Sequence, residues 1–257
     1  VCDTGNKYLS KMYNDFWMAE QGFVSRQPHG DLCDLISHRH EAGEVISVGP
    51  EDTLLTAFTR MRSADVSQVP VVDQNGHPLG IRHQAEDEDD PDWLVRADVL
   101  RGLRAISAAN MTYDLLVRPR NLPAAIAVAR ELPSLSLVVD HLAKPEIRAG
   151  RFDGWAEGMV RLAELPNVWC KVSGMTTEAD RVNWLPSDLV PYVQHVRRNF
   201  GDRRLMFGSD WPVSLLAGSY LRTFNATITA LGELTEISRD AIFGGNAKEF
   251  YKLATSE

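Results

Sequence analysis

Charged and polar side chains follow a series of apolar segments in the later part of the chain, and their types suit hydrolysis. In chain order these residues are Arg82, His83, Arg118, His141, Lys144, Lys171, Ser173 and Asp210. A carboxylate such as Asp210 can take a proton from water, and an imidazole such as His141 can bind a metal ion or polarise a carbonyl group. Arginine presents a bidentate fork that suits a carboxylate. So polar a set at the ends of successive apolar segments predicts a functional site.

The apolar segments themselves predict strands that alternate five times with amphipathic helices. The predicted strands are residues 78–83, 113–117, 135–140, 168–171 and 204–208. Continuously apolar strands between amphipathic helices indicate a parallel sheet, and the carboxyl ends of barrel strands face the active site. A complete (β/α)8 TIM barrel has eight such units and about 250 residues. Residues 81–257 are therefore predicted to form an α/β fold, the last five β/α units of a barrel.

The first 80 residues have a different pattern. Apolar residues at helical spacing between Leu9 and Trp17 predict an amphipathic helix, and a loop follows it. From Val45 onwards a short strand, a helix and the Asn75-Gly76 hairpin turn predict a compact unit. We therefore expect a small α+β segment before the barrel, with domains at residues 1–44, 45–80 and 81–257.

The opening segment resembles a known enzyme family. The motifs CDTG (residues 2–5), YLS (8–10) and DFWM (15–18) resemble the end of the catalytic domain of bacterial cystathionine β-synthase, and residues 45–80 resemble the first of its two CBS motifs. Paired CBS motifs bind adenosyl ligands, so the resemblance implies self-association and such a ligand. The family's pyridoxal-phosphate lysine lies upstream of the matched segment, so no pyridoxal phosphate is expected. The RHQA sequence at 82–85 replaces the family's Ser/Thr and Asp, which leaves the nucleotide site incomplete.

The later segment resembles the amidohydrolase-2 family of metal-dependent barrel hydrolases. The motifs that carry the resemblance are GIRH (80–83), DHLAKP (140–145), VWCKVSG (168–174) and MFGSDWP (206–212). The nearest branch contains sugar-lactone and dicarboxylate-lactone hydrolases. The resemblance implies that Asp210 activates the hydrolytic water, and that His141 and Asp210 bind zinc or manganese. That cation, or a protonated His141, stabilises the oxyanion, and the other polar residues hold a small-molecule lactone or carboxylate.

One departure from this family bears on activity. The family opens with a His-x-His pair on its first strand, and the first three strand units have no counterpart here. His38-x-His40 has the spacing, but no apolar strand leads into it, so a solvated loop is expected. The metal site is therefore incomplete, and lactonase activity is expected to be impaired. The alternatives are an adenosyl-binding regulatory module and an inactive chimeric fragment joined at Gly80-Ile81.

The amino-acid composition limits which classes of binding partner and which cellular compartment are expected. There are 27 Lys and Arg residues against 35 Asp and Glu, which gives no support for a nucleic-acid or anionic-membrane partner. Three cysteines without a CxxC pair and the lack of a long apolar run predict a cytoplasmic protein. A start at Val1 predicts a piece of a longer protein. Cys170 is expected to be buried, His195 to lie on the surface, and the acidic run at 86–92 to be a solvated loop.

Overall fold

The computed structural model describes residues 47–49, 52, 56, 59–60, 63, 72 and 78–253. The chain divides into two compact units, Val1–Pro78 and Leu79–Glu257. The predicted helix between Leu9 and Trp17 and the His38-x-His40 pair lie outside the described residues. The proposed boundaries at residues 44 and 80 stay predictions.

The described residues of the first unit show part of the expected hairpin. Val72 and Pro78, on either side of Asn75-Gly76 in the sequence, form an antiparallel bridge, and the turn itself lies outside the described residues. Val72 also donates from its backbone N–H to the carbonyl of Val48 at 2.9 Å. Asp52 accepts from the backbone N–H of Gly49 at 2.8 Å and pairs with Arg60 at 2.8 Å.

The second unit contains a parallel sheet whose five strands lie side by side in chain order. The strands are β1 (Gly80–His83), β2 (Thr112–Leu115), β3 (Leu137–Val139), β4 (Val168–Val172) and β5 (Leu205–Phe207). Each strand pairs in parallel with the next. This sheet confirms the predicted α/β class and the five units. Four of the strands are shorter than predicted, and β4 is one residue longer.

Helices connect the strands and cover one face of the sheet. They are α1 (Ala97–Ala108), α2 (Leu122–Glu131), α3 (Asp153–Ala163), α4 (Met175–Glu178), α5 (Pro186–Phe200), α6 (Tyr220–Leu231), α7 (Glu236–Asp240) and α8 (Asn246–Phe250). Gly201, at φ 69°, ends α5, because glycine adopts this left-handed conformation without steric cost. None of the helices in the described part of the chain is long and apolar enough to cross a membrane.

The two faces of the sheet have different surroundings. Alternate strand residues such as Leu137, Val139 and Cys170 face the helices and belong to the main hydrophobic core. The opposite face carries a small apolar cluster of Val138, Met206 and Phe250, and the charged residues Asp114 and Lys171 are the register partners of Val138 and Met206. Because side chains alternate along a strand, the residues that precede or follow Val138 and Met206 by two positions extend this second face.

Candidate active site

The backbone after β3 is held in an unusual conformation. Four consecutive residues that are not glycine, from His141 to Lys144, have φ between 47° and 56°. Left-handed backbone at such residues costs about 1 kcal/mol or more each and persists where surrounding contacts hold it. Asp210, which follows β5, has the same feature at φ 55°. Both strained positions therefore coincide with the two residues that the sequence predicts to be catalytic.

The side chains of His141 and Asp210 meet at the carboxyl end of the sheet. The Nε2 atom of His141 lies 3.5 Å from Oδ1 of Asp210, and each side chain is 13% exposed. The Nδ1 atom lies 2.8 Å from Oγ of Ser173, which fixes the ring from the other side. A Cβ atom at Gly174 would lie 2.7 Å from Cβ of His141, so the ring occupies space that any side chain there would fill.

The surroundings of this pair set their protonation states. Burial lowers the pKa of His141 to about 4, and the nearby Lys144 and Lys171 contribute in the same direction against Asp140. Burial raises the pKa of Asp210 to about 6, although Lys144 opposes the shift. At neutral pH the imidazole is therefore neutral and the Asp210 carboxylate is ionised. A protonated His141 is not available there to stabilise an oxyanion, whereas Asp210 is poised to accept a proton.

Beside this pair lies a group that we call the inner network, which consists of the charged residues Arg82, Asp114, Asp140 and Lys171 together with Tyr251. The ammonium of Lys171 hydrogen-bonds Asp114 and lies 2.7 Å from Oδ1 of Asp140. Arg82 reaches the other oxygen of Asp140 at 3.3 Å. Burial alone would raise the pKa of Asp140, but Lys171, His141 and Arg82 outweigh it and lower the pKa. Asp140 is therefore a carboxylate.

A second set of ion pairs, the outer network, joins the loops that follow β1 to β4, and it consists of Glu86, Arg118, Lys144 and Glu178. Lys144 donates to Oε1 of Glu86 at 2.5 Å, and Nε of Arg118 lies 3.2 Å from Oε2 of the same carboxylate. Arg118 also reaches Glu178 at 3.5 Å. The buried Glu86 thus holds two cations from two other loops.

Three sequence-based expectations can be compared with these positions. The acidic run at 86–92 is not uniformly solvated, because Glu86 is buried by its two cationic partners. His195 is not a free surface residue, since its Nε2 lies 3.0 Å from the Ala156 carbonyl and its ring packs against Phe152. Cys170 is buried, as expected.

The residues that the sequence predicts to form the site do not all lie together in the structure. His83 lies apart from the His141–Asp210 pair: its Nε2 is 2.7 Å from Glu88 and its ring stacks on Trp93 at 4.2 Å. The other members of the set lie in the pair itself, in one of the two networks or, for Ser173, against His141. The sequence reasoning missed the acidic partners Glu86, Asp114, Asp140 and Glu178, and also Tyr251. The one available signal was that Asp140 directly precedes His141.

The donor atoms allow a test of the implied metal centre. Two ligands of one tetrahedral zinc with bonds of about 2.0–2.1 Å are roughly 3.3 Å apart, close to the 3.5 Å between His141 Nε2 and Asp210 Oδ1. A catalytic zinc takes three protein ligands, however. Within the part of the chain that the structure describes, no three His, Cys, Asp or Glu side chains form such a group. The described residues therefore do not fit a complete centre.

Family models and relatives agree with the two-part organisation. The amidohydrolase family model matches residues 74–253, and the CBS domain model matches residues 36–81. These matches confirm the amidohydrolase and CBS resemblances, and their overlap includes the predicted junction at Gly80-Ile81. An L-fucono-1,5-lactonase from Burkholderia ambifaria is 41% identical over 182 residues, 68% of this chain. Another, from Burkholderia multivorans, is 39% identical over 189 residues, also 68% of this chain. The match spans only 61% and 62% of these curated relatives.

Solved structures give the same fold. A crystal structure of an amidohydrolase from Burkholderia multivorans with bound HEPES has a TM-score of 0.67 at 34% identity, covering 77% of this chain and 79% of that one. A second crystal form of an amidohydrolase from this organism, with bound zinc, has a TM-score of 0.64 at 34% identity, covering 81% and 74%. These similarities confirm the fold of the amidohydrolase family.

Proposed function

Because this chain belongs to the amidohydrolase family, we propose that its second unit hydrolyses a lactone with Asp210 as the general base. The observation that carries the proposal is the pairing of an ionisable Asp210 with a neutral His141 at the carboxyl end of the sheet. The curated relatives are named L-fucono-1,5-lactonases, which supports a sugar lactone as the substrate.

In the proposed reaction, Asp210 transfers the protons, and Ser173 and His141 orient it. Asp210 accepts a proton from water as the water oxygen bonds to the lactone carbonyl carbon. The hydroxyl of Ser173 donates to Nδ1 of His141, so that Nε2–H faces Asp210 and orients its carboxylate. When the ring C–O bond breaks, the leaving alkoxide takes the proton back from Asp210. The product is a hydroxy acid, and Asp210 is ionised again.

The cations around the pair are suited to the oxyanion that forms at the carbonyl oxygen. N–H donors that are held in place stabilise such a charge, because they need no reorganisation during the reaction. The cations of the two networks are Arg82, Arg118, Lys144 and Lys171. Lys144 acts to lower the pKa of Asp210, which supports a role for its ammonium near the attacking water.

The charges of the two networks favour an uncharged substrate. Each of the four cations already pairs with a carboxylate, and the partners are Glu86, Asp114, Asp140 and Glu178. Asp210 adds a further negative charge above pH 6. The described part of the site has no surplus positive charge for two substrate carboxylates. A polyhydroxy lactone therefore suits it better than a dicarboxylate lactone.

A lactone panel tests this proposal. We expect the chain to hydrolyse L-fucono-1,5-lactone faster than a dicarboxylate lactone, and Asp210→Asn to lower kcat by about 100- to 10,000-fold. Asp202→Asn is the matched control, because Asp202 pairs with Arg197 outside both networks. Equal turnover by the wild-type chain and Asp210→Asn would remove the proposal. Turnover by neither points to the inactive fragment.

Metal binding by His141 and Asp210 stays a prediction with its own measurement. One of the similar solved structures, the second amidohydrolase crystal form, contains bound zinc. His141 and Asp210 would supply two of the three protein ligands of a zinc site. Elemental analysis of the purified chain after exposure to zinc or manganese, with His141→Asn as the comparison, decides whether either ion binds there.

The first unit supports a second candidate function. The CBS domain match at residues 36–81 favours the binding of an adenosyl ligand by two self-associated copies. Calorimetry with S-adenosylmethionine and with AMP tests it, and no heat with either contradicts it. The result of the calorimetry is independent of the lactone panel. The cytoplasmic location of the protein stays a prediction.

A further inference from the structure

The end of the last helix reaches the charged face of the sheet. Tyr251 follows α8, and its hydroxyl donates to both carboxylate oxygens of Asp114 on β2, at 2.9 and 2.8 Å. The two residues are 137 positions apart in the chain. The ring of Tyr251 packs against Phe250, and its centroid lies 5.4 Å from the ammonium of Lys171. Tyr251 therefore contacts both members of the Asp114–Lys171 pair.

We propose that Tyr251 and Asp114 are positioning residues that fix the ammonium of Lys171 for contact with the bound lactone. This inference rests on the proposed function. Lysine has three N–H donors, and two carboxylates, Asp114 and Asp140, lie against the Lys171 ammonium. The Tyr251 hydroxyl also interacts with this ammonium, so the tyrosine holds Lys171 both directly and through Asp114.

The strand geometry places Lys171 beside the reacting pair. Lys171 and Ser173 are two residues apart along β4 and its end, so their side chains leave the same face of the sheet. Ser173 contacts His141 directly, and Asp140 precedes His141 in the chain. The side chain of Lys171 keeps 20% of its surface exposed, whereas that of Asp140 keeps 1%. Lys171 is thus the more accessible residue of this contact.

The tyrosine hydroxyl has a specific task in this arrangement. Asp114 is itself a mostly buried carboxylate, with 14% of its side chain exposed. Two donors hold it, the Tyr251 hydroxyl and the Lys171 ammonium. If the hydroxyl is removed, only Lys171 remains to satisfy Asp114, and the ammonium moves toward that carboxylate and away from the substrate. The network then survives, but the position of the donor changes.

A double-mutant cycle on kcat tests the proposal. We expect Lys171→Met to lower kcat by about 100-fold and Tyr251→Phe by about 5- to 20-fold, with KM changed less than twofold. In the Lys171→Met background, Tyr251→Phe has no further effect, because its action passes through Lys171. Tyr192→Phe is the matched control, since that hydroxyl bonds the Arg151 carbonyl away from the site. Equal effects of Tyr251→Phe in both backgrounds overturn the proposal.

A measurement without substrate separates this proposal from the lactonase proposal. The ¹⁵N NMR signal of the Lys171 ammonium, assigned by its loss in Lys171→Met, reports how firmly the group is held. We expect a resolved signal in the wild-type chain and in Tyr192→Phe, and its broadening or displacement in Tyr251→Phe. An unchanged signal in Tyr251→Phe overturns the positioning role, whether or not any lactone is hydrolysed.

Discussion

The Asp140 contacts of the inner network and the Arg118–Glu178 contact of the outer network use the same kinds of ion pair at different depths. In the inner network Asp140 is 1% exposed and contacts Lys171 and Arg82. In the outer network Arg118 is 41% exposed and bridges Glu86 and Glu178. Breaking a buried pair leaves a charge without solvent, whereas water replaces a lost partner near the surface. The Asp140 contacts therefore bear on the stability of the fold, and the Arg118–Glu178 contact on how the segments after β2 and β4 are held.

The largest effect on stability is expected from a substitution of Asp140. Asp140→Asn removes the charge shared by Lys171 and Arg82, and we expect the free energy of unfolding to fall by about 3 kcal/mol. Urea denaturation monitored by tryptophan fluorescence measures it. Asp202→Asn serves as the control, because its partner Arg197 is only partly buried. If Asp140→Asn lowered the free energy of unfolding by less than about 1 kcal/mol, the buried Asp140 contacts would contribute no more than an exposed ion pair does.

A smaller effect concerns pH and connects the outer network to catalysis. The kcat/KM of the wild-type chain is expected to rise with pH and to be half-maximal near pH 6, where Asp210 loses its proton. Lys144 opposes the upward shift of this pKa. Lys144→Met removes that positive charge, so the rise moves to higher pH, by about half a unit to one unit. A pH profile that stays in place or moves to lower pH would contradict the assignment of Asp210 as the base.

The smallest effect is expected at the rim of the outer network. Glu178→Gln removes the 3.5 Å contact to Arg118, which keeps Glu86 as its other partner. Because exposed pairs contribute little, the free energy of unfolding should change by less than about 1 kcal/mol. The same urea experiment checks this value. If Glu178→Gln lowered the free energy of unfolding as much as Asp140→Asn does, burial would not explain the difference expected between the two contacts.

The sequence predicts the polar residues at strand ends better than it predicts their partners. Asp210, His141 and Ser173 lie together because parallel strands end at one edge, and this follows from hydrophobic periodicity alone. The contact between Tyr251 and Asp114 joins residues 137 positions apart and has no local signature. The burial of Glu86 likewise depends on Lys144 and Arg118 from other loops. The left-handed backbone at His141 is fixed by tertiary contacts, so a pattern of residue types does not reveal it.

The edge of the sheet beyond β5 has a consequence for the protein in solution. Within residues 78–253, β5 pairs only with β4, and apolar side chains are exposed in the segment that follows it. They are Val213, Leu215, Leu216, Tyr220 and Leu221. A strand edge that pairs with no further described strand, beside such a patch, favours contact between molecules. The apparent mass should therefore grow with protein concentration, and sulfate should strengthen the association, because salts of this kind favour the burial of apolar surface.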